Sequence, residues 1–199
     1  MQNNRIKYII GIDESGRGPL AGPLTVAACR LPVRYMTLFS SVGILLRDSK
    51  LLSERQRDEW YKCLSELKQK GKIDFAITHI SPSKLDKDRM TKCLRVAINR
   101  ILSKLIASPD EVRVLLDGGL KAPKQYIYQE TIIKGDEREP AVALASILAK
   151  VTRDRKMMQL AKKFPEYGFD FHKGYGTKSH FKAIKKHGSC FCHRQSFLT

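Results

Sequence analysis

Two adjacent carboxylates, Asp13 and Glu14, follow the apolar run Tyr8-Ile9-Ile10 and lead into Gly16-Arg17-Gly18-Pro19-Leu20-Ala21-Gly22-Pro23. The apolar run reads as a buried strand. Neighbouring strand side chains point to opposite faces, so both acids can reach one ion only where the strand gives way to a turn. Glycines in that turn let the backbone approach a ligand without a Cβ in the way. Two more carboxylates belong with this pair. Asp117 closes Val112-Arg113-Val114-Leu115-Leu116 just before Gly118-Gly119, and Asp154 ends Ala149-Lys150-Val151-Thr152-Arg153-Asp154. Ser146, Lys150 and Asp154 are spaced four apart, which puts them on one face of a helix. Four carboxylates make an all-oxygen ligand set, suited to Mg²⁺ or Mn²⁺ and not to zinc. Two such ions roughly 4 Å apart can activate a water and stabilise the leaving oxygen of a phosphodiester. Crowded like charges also make one carboxylate hold its proton more tightly when no metal is present.

Each acid alone has an ordinary reading. Asp-Glu before glycine, and Asp before Gly-Gly, are common turn chemistry. Asp154 in Arg153-Asp154-Arg155-Lys156 could be one solvated charge in a run. Only the joint pattern points to a site, so the elements that carry these residues matter. Residues 5–12 read as a first strand and 24–31 as a second. The connection is too short for a crossover helix, so the pair is antiparallel. Residues 32–47 are ambiguous. Ser53 and Gln56 form a capping box, so a helix starts at Glu54 and runs to about Lys70, before Gly71. A strand over 73–80 follows, and Ser81-Pro82 opens a helix. Residues 82–92 could form a separate short helix ahead of the apolar helical spacing Leu94, Ala97, Ile98, Ile101 and Leu105. Residues 112–116 are a fourth strand and 126–133 a fifth, closed by Gly135-Asp136. A long helix runs over 141–163. A loop rich in glycine and aromatics and a basic helix over 178–187 make the tail. This order predicts an α/β fold, a mixed five-stranded sheet flanked by helices with a C-terminal helical extension. Residues 1–165 would form the catalytic domain, and 166–199 a basic helical tail packed on it.

The 199 residues carry 37 Lys and Arg against 20 Asp and Glu, a net charge of +17. A surface this basic favours a polyanion, nucleic acid first, and binds it without sequence preference. No apolar run approaches the roughly 20 residues of a membrane span. The N-terminus shows no signal-peptide core, so the chain reads as cytoplasmic, with no membrane partner. Five scattered cysteines (Cys29, Cys63, Cys93, Cys190 and Cys192) read as reduced thiols. Cys190-Phe-Cys192-His193, near His180 and His187, does not have the spacing of a usual zinc finger, and its cysteines read as core or surface thiols.

The motifs together resemble the type 2 ribonucleases H, in particular bacterial ribonuclease HII. The resemblance rests on Asp13-Glu14 with Gly16 through Pro23, Asp48-Ser49-Lys50, Asp117-Gly118, Ala145 through Asp154, His172-Lys173-Gly174-Tyr175-Gly176-Thr177 and His193-Arg194-Gln195-Ser196-Phe197. It covers nearly the whole chain and implies a ribonuclease H-like fold. It also implies endonucleolytic cleavage of RNA in RNA–DNA hybrids and 5′ of single ribonucleotides embedded in duplex DNA, leaving a 3′-hydroxyl and a 5′-phosphate. Asp13, Glu14, Asp117 and Asp154 would be the catalytic and metal-binding residues, holding Mg²⁺ or Mn²⁺, two ions in the catalytic complex. Gly16, Arg17 and Gly18 would sense the 2′-hydroxyl, the one chemical group that marks a ribose within DNA. Tyr175 would stack on the junction sugar, and Lys50, Ser146 and Lys150 would hold phosphates. The short, basic chain reads as a monomer. Ribonuclease HIII is the near alternative, with Ser15 a small departure toward it. It would carry Glu in place of Asp154, lack the glycine-arginine-glycine element and add an N-terminal domain. A basic nucleic-acid-binding module without catalysis would explain the charge and leave the acids as turn residues.

Overall fold

The computed structural model describes residues 5–36 and 52–198. Among the described residues five strands form one sheet: β1 (Tyr8–Ser15), β2 (Leu24–Pro32), β3 (Asp74–Ile80), β4 (Val112–Asp117) and β5 (Gln129–Ile132). Their order is β3-β2-β1-β4-β5. β1 pairs antiparallel with β2, and β2 with β3. β4 lies parallel to both β1 and β5. The sheet is therefore mixed, and β1 lies at its centre.

Alternation along β1 sorts its side chains to two layers. Ile10 and Ile12 join Val26, Ala28, Val114 and Leu116 beneath α2 (Pro82–Lys104), whose Leu94, Ala97, Ile98 and Ile101 complete that core. Gly11 faces the opposite layer, where Ala27, Cys29 and Leu31 of β2 pack on Ala141, Leu144, Ala145 and Leu148 of α4 (Pro140–Lys163) and on Leu64 of α1 (Glu54–Gln69). A Cβ at Gly11 would come within 2.0 Å of the Ala141 carbonyl carbon. Only glycine lets the N-terminal turn of α4 settle directly on the central strand. Asp13, two residues on, shares Gly11's face of β1 and so points toward the same helix.

Several boundaries follow local chemistry. Ser53 and Gln56 close the capping box at α1, and Gly71 past its end has φ +65°. α2 is broken at Arg89 (φ 60°, ψ 155°), which separates its first turns from the apolar stretch. β5 is shorter than the 126–133 that its apolar residues predict. The chain turns at Pro123, whose carbonyl accepts from the Tyr126 amide, and the Gln129 side chain bonds Ala122 N–H and the Tyr126 carbonyl. Lys134 then takes a left-handed conformation (φ 55°, ψ 47°) and opens the short helix α3 (Gly135–Arg138). After α4 come α5 (Phe169–His172) and α6 (Lys178–His187), capped by the Thr177 hydroxyl. Among the described residues no helix is long and apolar enough to cross a membrane.

The C-terminal segment returns to the glycine-rich turn after β1. Ala21 and His193 form an isolated β-bridge. The buried Arg194 guanidinium donates to the carbonyls of Gly16 (2.6 Å), Arg17 (2.8 Å) and Gly22 (3.0 Å). Buried Arg153 of α4 donates to those of Pro23 (3.1 Å), Ala21 (3.3 Å) and Lys173 (2.9 Å). Two charged side chains, bonded to backbone oxygens, thus hold the turn from beneath, although Arg153 Nη1 has no hydrogen-bond partner.

Candidate active site

A cleft of about 410 Å³ opens at the C-terminal ends of β1 and β4. In open sheets of this kind, strand ends are where sites form. The register Ile12↔Leu116 places Asp13 beside Asp117. Among the described residues four carboxylates line the cleft: Asp13, Glu14, Asp117 and Asp136. Gly16, Arg17, Gly18, Ser146, Lys150 and Tyr175 line it as well, together with Arg57 of α1.

The fourth carboxylate is not the expected one. Asp154 lines a neighbouring small cavity with Glu54, Arg57 and Asp58, and pairs with Lys150 Nζ at 3.0 Å. The reason is helical rise: eight residues separate Ser146 from Asp154, about 12 Å along the axis. Ser146 and Lys150 face the cleft, and Asp154 passes beyond it. Its contact with the cleft runs through Lys150. Asp136 takes the place expected of it. The left-handed Lys134 redirects the chain after β5, and the Gly135 amide donates to Asp117 Oδ1 at 2.7 Å. That bond ties α3 to the end of β4 and brings the buried Asp136 to the cleft. A signal for it was present, since Gly135-Asp136 closes a strand as Asp117-Gly118 does. Arg57 has no such mark in the sequence. Lys50 lies outside the described residues, as do Asp48 and Ser49.

The acids are held in a strained electrostatic state. Asp13 is only 5% exposed. Burial, then the neighbouring Glu14, push its carboxyl up to about 8, although Ser146 and the Glu14 amide hydrogen-bond to it. Burial also raises Glu14, against the pull of Arg17, whose Nε lies 2.7 Å from Glu14 Oε1. Glu14 Oε2 is buried and has no hydrogen-bond partner. A partnerless buried carboxylate oxygen and a carboxyl that keeps its proton at neutral pH are what a cation would relieve. The donor set therefore fits a hard divalent ion.

The rim is shaped by backbone. Gly16 has φ +94°, and a Cβ there would lie 2.2 Å from Arg153 Nε. Gly174 has φ +87°, and a Cβ there would lie 2.4 Å from the Ala21 carbonyl oxygen. Those two close approaches seat the half-exposed Tyr175 on the cleft wall, its ring 5.7 Å from the Arg153 guanidinium carbon.

The family model for ribonuclease HII matches residues 10–199. A ribonuclease HII of Endomicrobium trichonymphae is 41% identical over 189 residues, covering 95% of this chain and 84% of the relative. One from Bacillus cereus is 42% identical over 197 residues, covering 99% and 71%. Among solved structures, the ribonuclease HII of Archaeoglobus fulgidus in complex with PCNA superposes with a TM-score of 0.75 at 25% identity, covering 94% of this chain and 93% of that one. The Bst ribonuclease HIII in complex with Mn²⁺ gives 0.73 at 23%, covering 98% and 69%, a likeness of fold.

Proposed function

We propose, for a chain that belongs to the ribonuclease HII family and is a metal-dependent ribonuclease H acting on nucleic acid, that its substrates are RNA–DNA hybrids and duplex DNA carrying a single ribonucleotide. It cuts on the 5′ side of that ribonucleotide, and within the RNA strand of RNA–DNA hybrids, leaving a 3′-hydroxyl and a 5′-phosphate. One observation carries this reading: four carboxylates from three separate parts of the chain line one cleft beside the Gly16-Arg17-Gly18 turn.

Asp13, Glu14, Asp117 and Asp136 would hold Mg²⁺ or Mn²⁺. A pair of such ions, held by those four carboxylates, would supply a nucleophile from water at neutral pH and counter-charge for the leaving oxygen. The other residues bind and orient. Ser146 fixes the Asp13 carboxyl by hydrogen bond. Lys150, steadied by Asp154, and Arg57 offer positive charge for the phosphates on either side of the cut. Arg17 is tethered to Glu14, so the backbone around it is set close to the metal ligands, where a 2′-hydroxyl would lie. Tyr175 presents an open ring face to the sugar at the junction. The charge of +17 draws the duplex in and makes binding salt-sensitive.

The test is a labelled duplex with one ribonucleotide, an all-DNA duplex and an RNA–DNA hybrid, each incubated with Mg²⁺ or Mn²⁺. Cleavage 5′ of the ribonucleotide, absent from the all-DNA duplex, supports the assignment. Binding without cleavage by the folded, metal-supplied protein would sink it in favour of a non-catalytic nucleic-acid-binding module.

A further inference from the structure

The turn after β1 serves two surfaces. Its residues 16–18 line the acidic cleft, whereas Gly22 and Pro23 line a second groove of about 680 Å³. That volume lies within the roughly 300–1,000 Å³ of ligand-binding pockets. The groove is bounded by Ser81-Pro82 after β3, by the last turns of α4 and by the turn over 190–193. Pro23, Pro82, Leu160 and Phe191 give it an apolar lining. Leu160 also packs on the small core of Ala21, Met157 and Cys192.

Phe191 is 74% exposed, and it is held there. Cys190 and Cys192, on either side of it, are joined as a disulfide, while Cys29, Cys63 and Cys93 are free. The reading of all five cysteines as reduced thiols fails here, because the turn over 190–193 folds one cysteine back on the other. The ring so closed restrains the backbone that carries Phe191. The Gly22 amide donates to the Cys192 carbonyl at 2.8 Å, and the Phe164 ring meets the Phe191 ring edge-on at 5.3 Å. An exposed aromatic already fixed in place loses little freedom on binding, which is the character of an interface anchor. Single exposed apolar residues are ordinary, but this one stands on the wall of an apolar groove.

The rim is basic. Exposed Lys156, Lys162 and Lys163 line the groove, and none of them forms an ion pair among the described residues. Lys162 and Lys163 lie in the last turn of α4, whose dipole offsets only about half of one charge. Among the described residues no carboxylate lines the groove. Burial, then Lys156, hold His79 below its ordinary range, so it adds a neutral ring to the wall, 2.8 Å from Thr25 Oγ1. We propose that this groove docks an acidic peptide segment of a protein partner, with an aromatic or aliphatic side chain beside Phe191 and carboxylates on the three lysines. A nucleic-acid backbone would meet the lysines and leave the apolar lining bare. A second copy of this chain, at +17, would bring like charge to the rim. The partner sits next to the cleft without entering it, on the other part of the same turn.

The probe is a short fluorescein-labelled peptide of glutamate and serine with Phe-Leu at its centre. One control keeps the glutamates and replaces Phe-Leu by Gly-Ser. The other keeps Phe-Leu and replaces every glutamate by serine. A short all-DNA duplex tests the nucleic-acid alternative. The full-length protein, without reductant, is titrated into each and followed by fluorescence anisotropy, and amide NMR shifts locate the bound peptide. The probe should bind about tenfold more tightly than either control and weaken by about tenfold or more in Phe191→Ala. It should shift the amides of residues 79–82, 156–163 and 191–192. Lys162→Ser with Lys163→Ser should weaken it as well, and most at low salt. Duplex binding and cleavage should be unchanged in Phe191→Ala, since Phe191 is exposed and lines no part of the cleft. The proposal is overturned if the probe binds no better than its controls, if Phe191→Ala binds it as the parent does, or if the shifts fall on the cleft. It is overturned equally if Phe191→Ala weakens duplex and probe alike, which would make the groove part of the nucleic-acid surface.

Discussion

Replacing Asp13 by Asn should make the metal-free protein more stable at neutral pH while removing its cleavage activity. In the unfolded chain this carboxyl ionises near its ordinary 3.8, and in the fold it holds its proton up to about 8, chiefly through burial. Between those values the folded state carries one proton more than the unfolded state, so stability falls as pH rises. The contribution is fully present below pH 4 and is lost as pH climbs toward 8. The slope is about 1.4 kcal/mol per pH unit, or about 2.7 kcal/mol between pH 5 and pH 7. Asparagine has the shape of the neutral acid, can still accept the Glu14 amide at Oδ1, and does not titrate. The stability gap between variant and parent should therefore widen with pH by that amount, while groups common to both cancel. Denaturant unfolding in excess chelator, at fixed ionic strength and at several pH values between 5 and 7.5, measures it. A gap that changes by less than about 0.5 kcal/mol over that range would mean that Asp13 ionises as an ordinary surface acid. The account of a cleft kept under electrostatic strain for a cation would then be wrong.

Three further outcomes follow from the same geometry. Asp136→Asn should lower cleavage by about a thousandfold or more, and Asp154→Asn by only about tenfold, since it acts by positioning Lys150; single-turnover rates on a ribonucleotide-containing duplex separate the two. Gly11→Ala should cost about 3 kcal/mol or more of stability in denaturant unfolding, because its Cβ would meet the backbone of Ala141, which has no rotamer by which to move away. At limiting Mg²⁺ the cleavage rate should rise with pH, up to about tenfold per unit, and level off near 8 as Asp13 releases its proton, and saturating Mg²⁺ should flatten that profile.

The parts of the fold and site legible in the sequence are those set by local pattern. Alternation and length mark β1, β2 and β4, and the capping box marks the start of α1. Asp13, Glu14 and Asp117 stand out because each ends an apolar run beside glycine, and a parallel pairing of their strands is enough to bring them together. Asp136 was less visible. It sits past a short edge strand, and what delivers it is a left-handed residue and a backbone bond to a side chain eighteen positions earlier. Neither has a periodicity. Asp154 stands out for the opposite reason: spacing of four along a helix is a strong pattern, but it reports only a shared face and says nothing of how far along the axis a cleft extends.

The run Arg153-Asp154-Arg155-Lys156 makes the same point in energetic terms. Four consecutive charges read as a solvated face, yet Arg153 is fully buried and Asp154 nearly so. Burying a guanidinium is unfavourable unless its donors are met. Here Nε and Nη2 are met by carbonyls of the turn over 21–23 and of Lys173, groups that the turn's glycines leave open to approach, while Nη1 has no hydrogen-bond partner. Arg194 repeats the solution from the other end of the chain. The glycines that permit close approach to a substrate thus also expose backbone oxygens that two distant arginines must satisfy. The turn, α4 and the tail therefore depend on one another. A substitution at Gly16 would displace Arg153 and disturb the tail along with the substrate-facing turn, so loss of activity there must be read alongside a stability measurement before it is assigned to recognition of the ribose.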